Sequence, residues 1–352
     1  LLLCSLFRVA RLLAIFLALA LLLVKQADGA PTGAAPPATQ FEADVALAWF
    51  DLAYSLARDE ALAPPVAARA FGYLGVALYE SVAPGIPGYQ SLAGQLNGLP
   101  PLPTAAAYHW PTVANSALSS TLQALLPAAK DTVKAQEAAL AAQLRRGAPA
   151  ELFKLSVARG RLVGRVIARW AARDGFHELG NCDYAPPAGA GLWSPTPPAF
   201  KPALQPCWGQ MRPFVLTAGS ACSPSAPPPY SEEPGSPFHR EAREVYEVSS
   251  HLTPQQRTIA LYWADDPGVT GTPPGHSINI LSQVLRQEDA SLALAAEAYA
   301  RTGIAVSDAF IACWWTKYEY DLIRPITCIR DLMQADWDVV VATPPFPEYT
   351  SG

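Results

Sequence analysis

From Phe41 to about Asp174, apolar residues recur every three to four positions, and that period commits the stretch to packed helices. The first segment, Phe41–Arg58, sets apolar triplets around Asp44 and Asp51. Pro64-Pro65 opens a second helix over Val66–Val82, since proline suits the first turn of a helix and disrupts any later one. Pro111 opens a third that runs to about Leu126. Two more, roughly Ala129–Arg146 and Ala150–Asp174, set apolar faces against faces of Lys, Arg and Gln. No period-two alternation and no Asn-Gly hairpin signal interrupts them. The class expected is all-α, with a helical part over residues 41–180.

The period breaks over residues 181–237, an irregular stretch holding Pro195-Thr196-Pro197-Pro198 and Pro227-Pro228-Pro229. Irregular segments of this length are usually functional or disordered. Trp193, Phe200, Trp208 and Phe214 would be costly in a solvated tail, so the segment is predicted to pack across the helices rather than link separate domains. Helices resume at Phe238. Thr253-Pro254-Gln255-Gln256 carries a threonine cap, a first-turn proline and a glutamine to close a capping box. A Gly/Pro loop from Gly271 to Gly275 precedes a helix from His276 to about Gln287. A last long helix is expected from about Ala290 to Ile323, ended by Arg324-Pro325 because a residue before proline is pushed out of the α region.

Arg8 and Arg11 precede an apolar run from Leu12 to Val24, and the small residues Ala27-Asp28-Gly29-Ala30 follow. This reads as a cleaved signal peptide over residues 1–30, with a Pro/Ala-rich linker over 31–40. A membrane anchor is the rival reading, but the run is shorter than the ~20 apolar residues a spanning helix needs. The expected location is therefore secreted or periplasmic, with no membrane contact after cleavage. Of six cysteines, Cys4 leaves with the signal. A disulfide among the loop residues Cys182, Cys207 and Cys222 suits an oxidising compartment, and Cys313 is expected as a buried free thiol on an apolar helix. A net charge of −5 with only 16% charged residues and no Lys/Arg run argues against nucleic acid as a partner. The chain starts without methionine and stops on Ser351-Gly352, so we read it as a fragment of a longer protein.

Lys317 and Arg324 are seven residues apart, nearly two helical turns, which would set both cations on one face of the last helix. Trp314 falls on the same side, and Asp321 is spaced to orient both cations. A solvated basic stripe is the plain alternative. Against it stand the apolar and aromatic run Phe310-Ile311-Ala312-Cys313-Trp314-Trp315 and the stiff loop Thr343–Gly352. That loop ends in Ser351-Gly352, a hydroxyl and a closely approachable amide that can both donate to an oxyanion.

Lys317, six residues, Arg324-Pro325 and then Ser351-Gly352 resemble the first motif and most of the second in one superfamily. It comprises vanadium-dependent haloperoxidases and type 2 phosphatidic acid phosphatases. Its pattern is Lys, six residues, Arg-Pro; then Pro-Ser-Gly-His; then Ser-Arg, five residues, His, three residues, Asp. Thr350 stands where the pattern has proline, and the third motif would lie beyond Gly352. Pro65–Arg69, Trp208-Gly209, Arg212-Pro213-Phe214 and Pro273–His276 are similar to secreted bacterial-type members.

The resemblance implies that residues 238–352 form an incomplete phosphatase/haloperoxidase core. It implies that Lys317, Arg324, Ser351 and Gly352 hold the oxygens of vanadate as cofactor, or of phosphate. Trp314 and Phe346 match halide-pocket positions in chloroperoxidases, so the partners implied are halide and hydrogen peroxide. No metal ligand is expected within the fragment, since the vanadium-binding histidine belongs beyond Gly352. An acid phosphatase acting on a phosphate ester is the second reading, and a non-catalytic helical remnant the third. Among the histidines present, His276 reads as helix-start packing, and Asp265-Asp266 as an exposed turn.

Overall fold

The structure, a computed structural model, describes residues 36–103, 107–180 and 182–349. The expected signal peptide, Ser351 and Gly352 lie outside the described residues. The periodic half forms α1 (Asp44–Asp59), α2 (Pro64–Val82), α3 (Trp110–Leu125), α4 (Lys130–Leu144) and α5 (Ala150–Ala171). Prolines occupy the first turns of α2 and α3, where the backbone N–H they lack would have no partner within the helix.

α2 is buried on nearly every face, and small residues make that possible. A Cβ added at Gly75 would stand 2.6 Å from the Tyr299 carbonyl oxygen, so only glycine lets the long helix α9 (Leu292–Tyr320) cross this closely. A Cβ at Gly160 of α5 would likewise meet the Val113 carbonyl of α3 at 2.3 Å. Phe50 and Tyr299 stack at 3.6 Å between centroids, and the buried Trp49 indole donates to Asn115 at 2.9 Å. Here each ring has a partner, and the polar edge of the Trp49 indole is satisfied.

The proline-rich segment packs onto these helices. Trp193, Trp208 and Phe214 are buried, and the backbone N–H groups of Phe214, Val215 and Leu216 all donate to the Asp308 carboxylate on α9 (2.6, 2.8 and 3.0 Å). Phe200 departs from the expectation. It lies 64% exposed in a turn with φ +46°, which turns its ring away from the core. Cys182 and Cys207 form a disulfide, leaving Cys222 as an exposed thiol. Cys313 is half-buried rather than fully buried, among the partly buried residues packed against the cluster of Trp208, Met211, Ile311 and Trp314.

Apart from a single α-helical turn at Phe176–Leu179 and short 3-10 turns, the remaining helices are α6 (Pro237–Ser250), α7 (Pro254–Tyr262), α8 (Thr272–Gln287), α9 and α10 (Pro325–Leu332). Thr253 and Gln256 close the capping box of α7. α8 begins at Thr272, four residues before the expected His276, because Pro273-Pro274 are accepted in its first turn instead of ending a loop. Among the described residues extended pairing is limited to isolated bridges, and no helix is long and apolar enough to cross a membrane. The all-α class expected from the sequence is the one observed.

Candidate oxyanion-binding site

The last long helix stops earlier than its apolar pattern suggests. Asp321 turns left-handed (φ 44°, ψ 40°) and its N–H closes on the Lys317 carbonyl at 2.9 Å, ending α9 at Tyr320. The chain then leaves the helix to meet the proline-rich segment: Trp193 N–H donates to Asp321 O (2.7 Å) and Ile323 N–H to Gly191 O (2.9 Å). Arg324, with extended backbone (φ −77°, ψ 148°), is the N-cap of α10. Lys317 and Arg324 therefore do not share one helix face. These backbone bonds beyond the helix compete with continued α-structure, and Pro325 starts a new helix. Asp321 does not orient the cations either; its carboxylate accepts from the Tyr184 hydroxyl.

Tertiary structure brings both cations under the loop that follows α10. Lys317 is 2% exposed and Arg324 7%. The Lys317 ammonium donates to the Tyr349 carbonyl at 2.6 Å. Arg324 Nε donates to the Phe346 carbonyl at 2.7 Å, and Nη1 pairs with the Glu348 carboxylate at 2.5 Å. Glu348 N–H in turn donates to Leu322 O, tying the loop to the junction between α9 and α10. Arg324 Nη2 is buried with no hydrogen-bond partner among the described residues. A buried guanidinium nitrogen left without an acceptor is costly, so this atom marks a place for one.

Phe346 sits at the centre of the cluster. Its ring lies 5.1 Å from the Lys317 ammonium, 4.7 Å from the Arg324 guanidinium carbon and 4.9 Å from the Trp314 ring. Leu204 of the proline-rich segment fixes the surroundings: its carbonyl accepts from the Trp314 indole (3.1 Å) and the Tyr318 hydroxyl (2.8 Å), and its N–H donates to Pro345 O (2.8 Å).

Burial lowers the pKa of Lys317, with the Arg324 charge adding to that fall and the Cys313 and Glu348 side chains opposing it. Burial also lowers that of Arg324, against the raising effect of Glu348. Two desolvated cations beside an aromatic ring form a site where an anion would relieve both. A planar guanidinium fork suits a tetrahedral oxyanion in particular.

The structure thus brings together Lys317, Arg324, Trp314 and Phe346. Glu348, the Tyr349 carbonyl and Leu204 are partners that sequence reasoning missed, since no helical spacing links positions across a loop. Asp265 was expected in an exposed turn. Its side chain is instead 5% exposed and pairs with His276 Nδ1 at 2.8 Å, because the turn folds back on the start of α8.

Comparison with known proteins accords with this geometry. The VCPO second helical-bundle domain family matches residues 297–352. The vanadium chloroperoxidase of Curvularia inaequalis is 30% identical over 129 residues, which is 30% of this chain and 21% of that protein; the chain spans about a fifth of that relative's length. Two bacterial vanadium-dependent chloroperoxidase structures, apo and holo, share the fold at 16% identity (TM-scores 0.62 and 0.58; 82% and 83% of this chain, 74% and 73% of those). The structure of a bacterial vanadium-dependent iodoperoxidase superposes with a TM-score of 0.81 at 35% identity, covering 89% of this chain and 77% of that one. At that identity and coverage, this chain belongs to the vanadium haloperoxidase family within the vanadium haloperoxidase and type 2 phosphatidic acid phosphatase superfamily.

Proposed function

We propose that this chain is part of a vanadate-dependent haloperoxidase that oxidises halide with hydrogen peroxide. The observation that carries the reading is the unpartnered Nη2 of buried Arg324, in the same loop-covered cluster as the buried Lys317 ammonium. Those donors fit an oxyanion, and Ser351 and Gly352 would complete its cradle. Vanadate bound there would supply the centre at which peroxide is activated for oxygen transfer to halide.

The chain's own residues take the remaining roles. Lys317 holds an anionic oxygen and, with its pKa lowered by burial, shares a proton with it more readily than a solvated lysine would. Arg324 neutralises the anion while Glu348 and the Phe346 carbonyl hold its fork in place. Trp314 and Phe346 offer halide an apolar wall at the edge of the cations and keep water from it. The histidine that binds vanadium would follow Gly352, and the protein would be exported by its N-terminal segment.

The relatives named above support halide, rather than a phosphate ester, as the substrate. The full-length protein reconstituted with orthovanadate is expected to oxidise iodide or bromide with peroxide, and inorganic phosphate is expected to inhibit it. Hydrolysis of an aryl phosphate without vanadate-dependent halide oxidation would establish the phosphatase instead.

A further inference from the structure

From Leu152 to Arg173, in α5 and just past its end, the chain has six Lys and Arg and no Asp or Glu, although its net charge is −5. Arg159 points inward: it is 5% exposed and donates to the Pro103 carbonyl at 2.6 Å. The other five, Lys154, Arg161, Arg165, Arg169 and Arg173, are exposed. No two of the six are adjacent in the sequence, so they form no basic run; the helix gathers them.

Arg161, Arg165 and Arg169 follow at four-residue intervals, about 6 Å apart along the helix axis, and Lys154 lies two turns before Arg161 on the same side. The opposite face buries Phe153, Val163, Ile167 and Trp170 against the bundle, so the row looks outward. Lys154 has a carboxylate partner, Glu151 at 2.8 Å. Arg161, Arg165 and Arg169 have none among the described residues. Folding does not account for this row. Like charges four residues apart on a helix repel, and a solvated face usually mixes signs, as Glu151 and Lys154 do. The helix dipole favours a cation in the last turn, which covers Arg169 but not Arg161 or Arg165.

We propose that this face of α5 binds a linear sulfated polysaccharide. Each guanidinium can hold two oxygens of one sulfate ester through parallel N–H bonds, where an ammonium offers only a point charge. A single evenly spaced row matches anions strung along one chain. A lipid surface is a plane, and it holds a basic helix by the apolar side chains that enter it; Leu155 is the one large apolar side chain that α5 exposes. Single-stranded nucleic acid is held by ring stacking, and the aromatic rings of α5, Phe153 and Trp170, are buried. The binding rests on the row and not on halide oxidation.

Surface plasmon resonance of the full-length protein over immobilised dextran sulfate, with neutral dextran as the reference, tests this. Saturable binding is expected, weakening as salt rises because bound cations displace counterions from the polymer. Arg161→Gln, Arg165→Gln and Arg169→Gln combined should lower the affinity roughly tenfold at fixed ionic strength. The same three positions changed to Lys keep the charge but lose the fork, and should lose roughly two- to threefold. Arg240→Gln, Arg243→Gln and Arg257→Gln combined remove equal charge from α6 and α7 and should stay within about twofold of the parent. Circular dichroism should be unchanged in all three variants. No saturable binding, no loss in the row variant, or an equal loss in the α6 and α7 variant overturns the proposal. So does tighter binding to phosphatidylglycerol vesicles or duplex DNA than to dextran sulfate. Vanadate-dependent triiodide formation should survive the row variant, so its absence from the parent would count against the proposed function and not against the row.

Discussion

Arg69 on α2 and Lys317 on α9 are both buried cations, yet their surroundings differ. Arg69 donates through Nε to the Asp174 carboxylate at 2.6 Å and through Nη2 to the Ala171 carbonyl at 3.0 Å, with the Phe176 ring 4.4 Å away. Lys317 has a carbonyl for its partner and a second cation, Arg324, close enough to depress its pKa. At Arg69, then, the buried charge is matched by an opposite one. Beneath the loop, two positive charges are gathered with one carboxylate, and a guanidinium nitrogen is left unmet. The difference separates a charge neutralised within the fold from two charges gathered with a single carboxylate, the arrangement on which the proposed anion site rests.

The widest test of that contrast is Arg69→Met, which leaves Asp174 buried without its counter-charge. A loss of about 3–5 kcal/mol in urea unfolding is expected. A loss below about 1 kcal/mol would show that the two regions are not different in kind. Lys317→Met should do the reverse. Removing a poorly compensated ammonium should leave stability within about 1 kcal/mol of the parent, while orthovanadate affinity of the full-length protein, read by calorimetric titration, falls roughly 10- to 100-fold. Equal losses of stability in the two variants would break the comparison.

The smallest effect concerns pH and lies in the bundle. His109 is buried at the start of α3, and burial lowers its pKa below the ordinary 6.5. Above 6.5 the imidazole is neutral in both folded and unfolded states, and stability is at its full value. As pH falls from 6.5 through the lowered folded value, the unfolded chain takes up the proton first and stability declines. His109→Gln should flatten that decline in thermal melts between pH 7 and pH 5. An unchanged slope would assign the pH dependence to other groups.

Much of the bundle was legible because its signals are local. Pro64, Pro111 and Thr253 mark helix starts wherever the chain goes, and apolar spacing located each helix within a few residues. The end of α9 was not legible. Leu322 and Ile323 continue an apolar helical pattern, but backbone bonds from Glu348 to Leu322 and from Ile323 to Gly191 hold them in extended structure instead. Asp265 was misplaced for a similar reason: a carboxylate in a Pro-Gly turn looks solvated until its partner eleven residues later folds over it.

By itself, the sequence determined the all-α class, the proline-set helix starts and the identity of the two cations in a motif of fixed spacing. Each of these follows from properties of a short segment: period, ring constraint and side-chain charge. Only the tertiary structure decided that Arg324 caps a new helix, that it meets Lys317 beneath the loop at Phe346, and that one of its nitrogens is left open. Those outcomes depend on hydrogen bonds between segments far apart in the chain and on the burial they impose. No local pattern encodes the desolvation that lowers the pKa of Lys317.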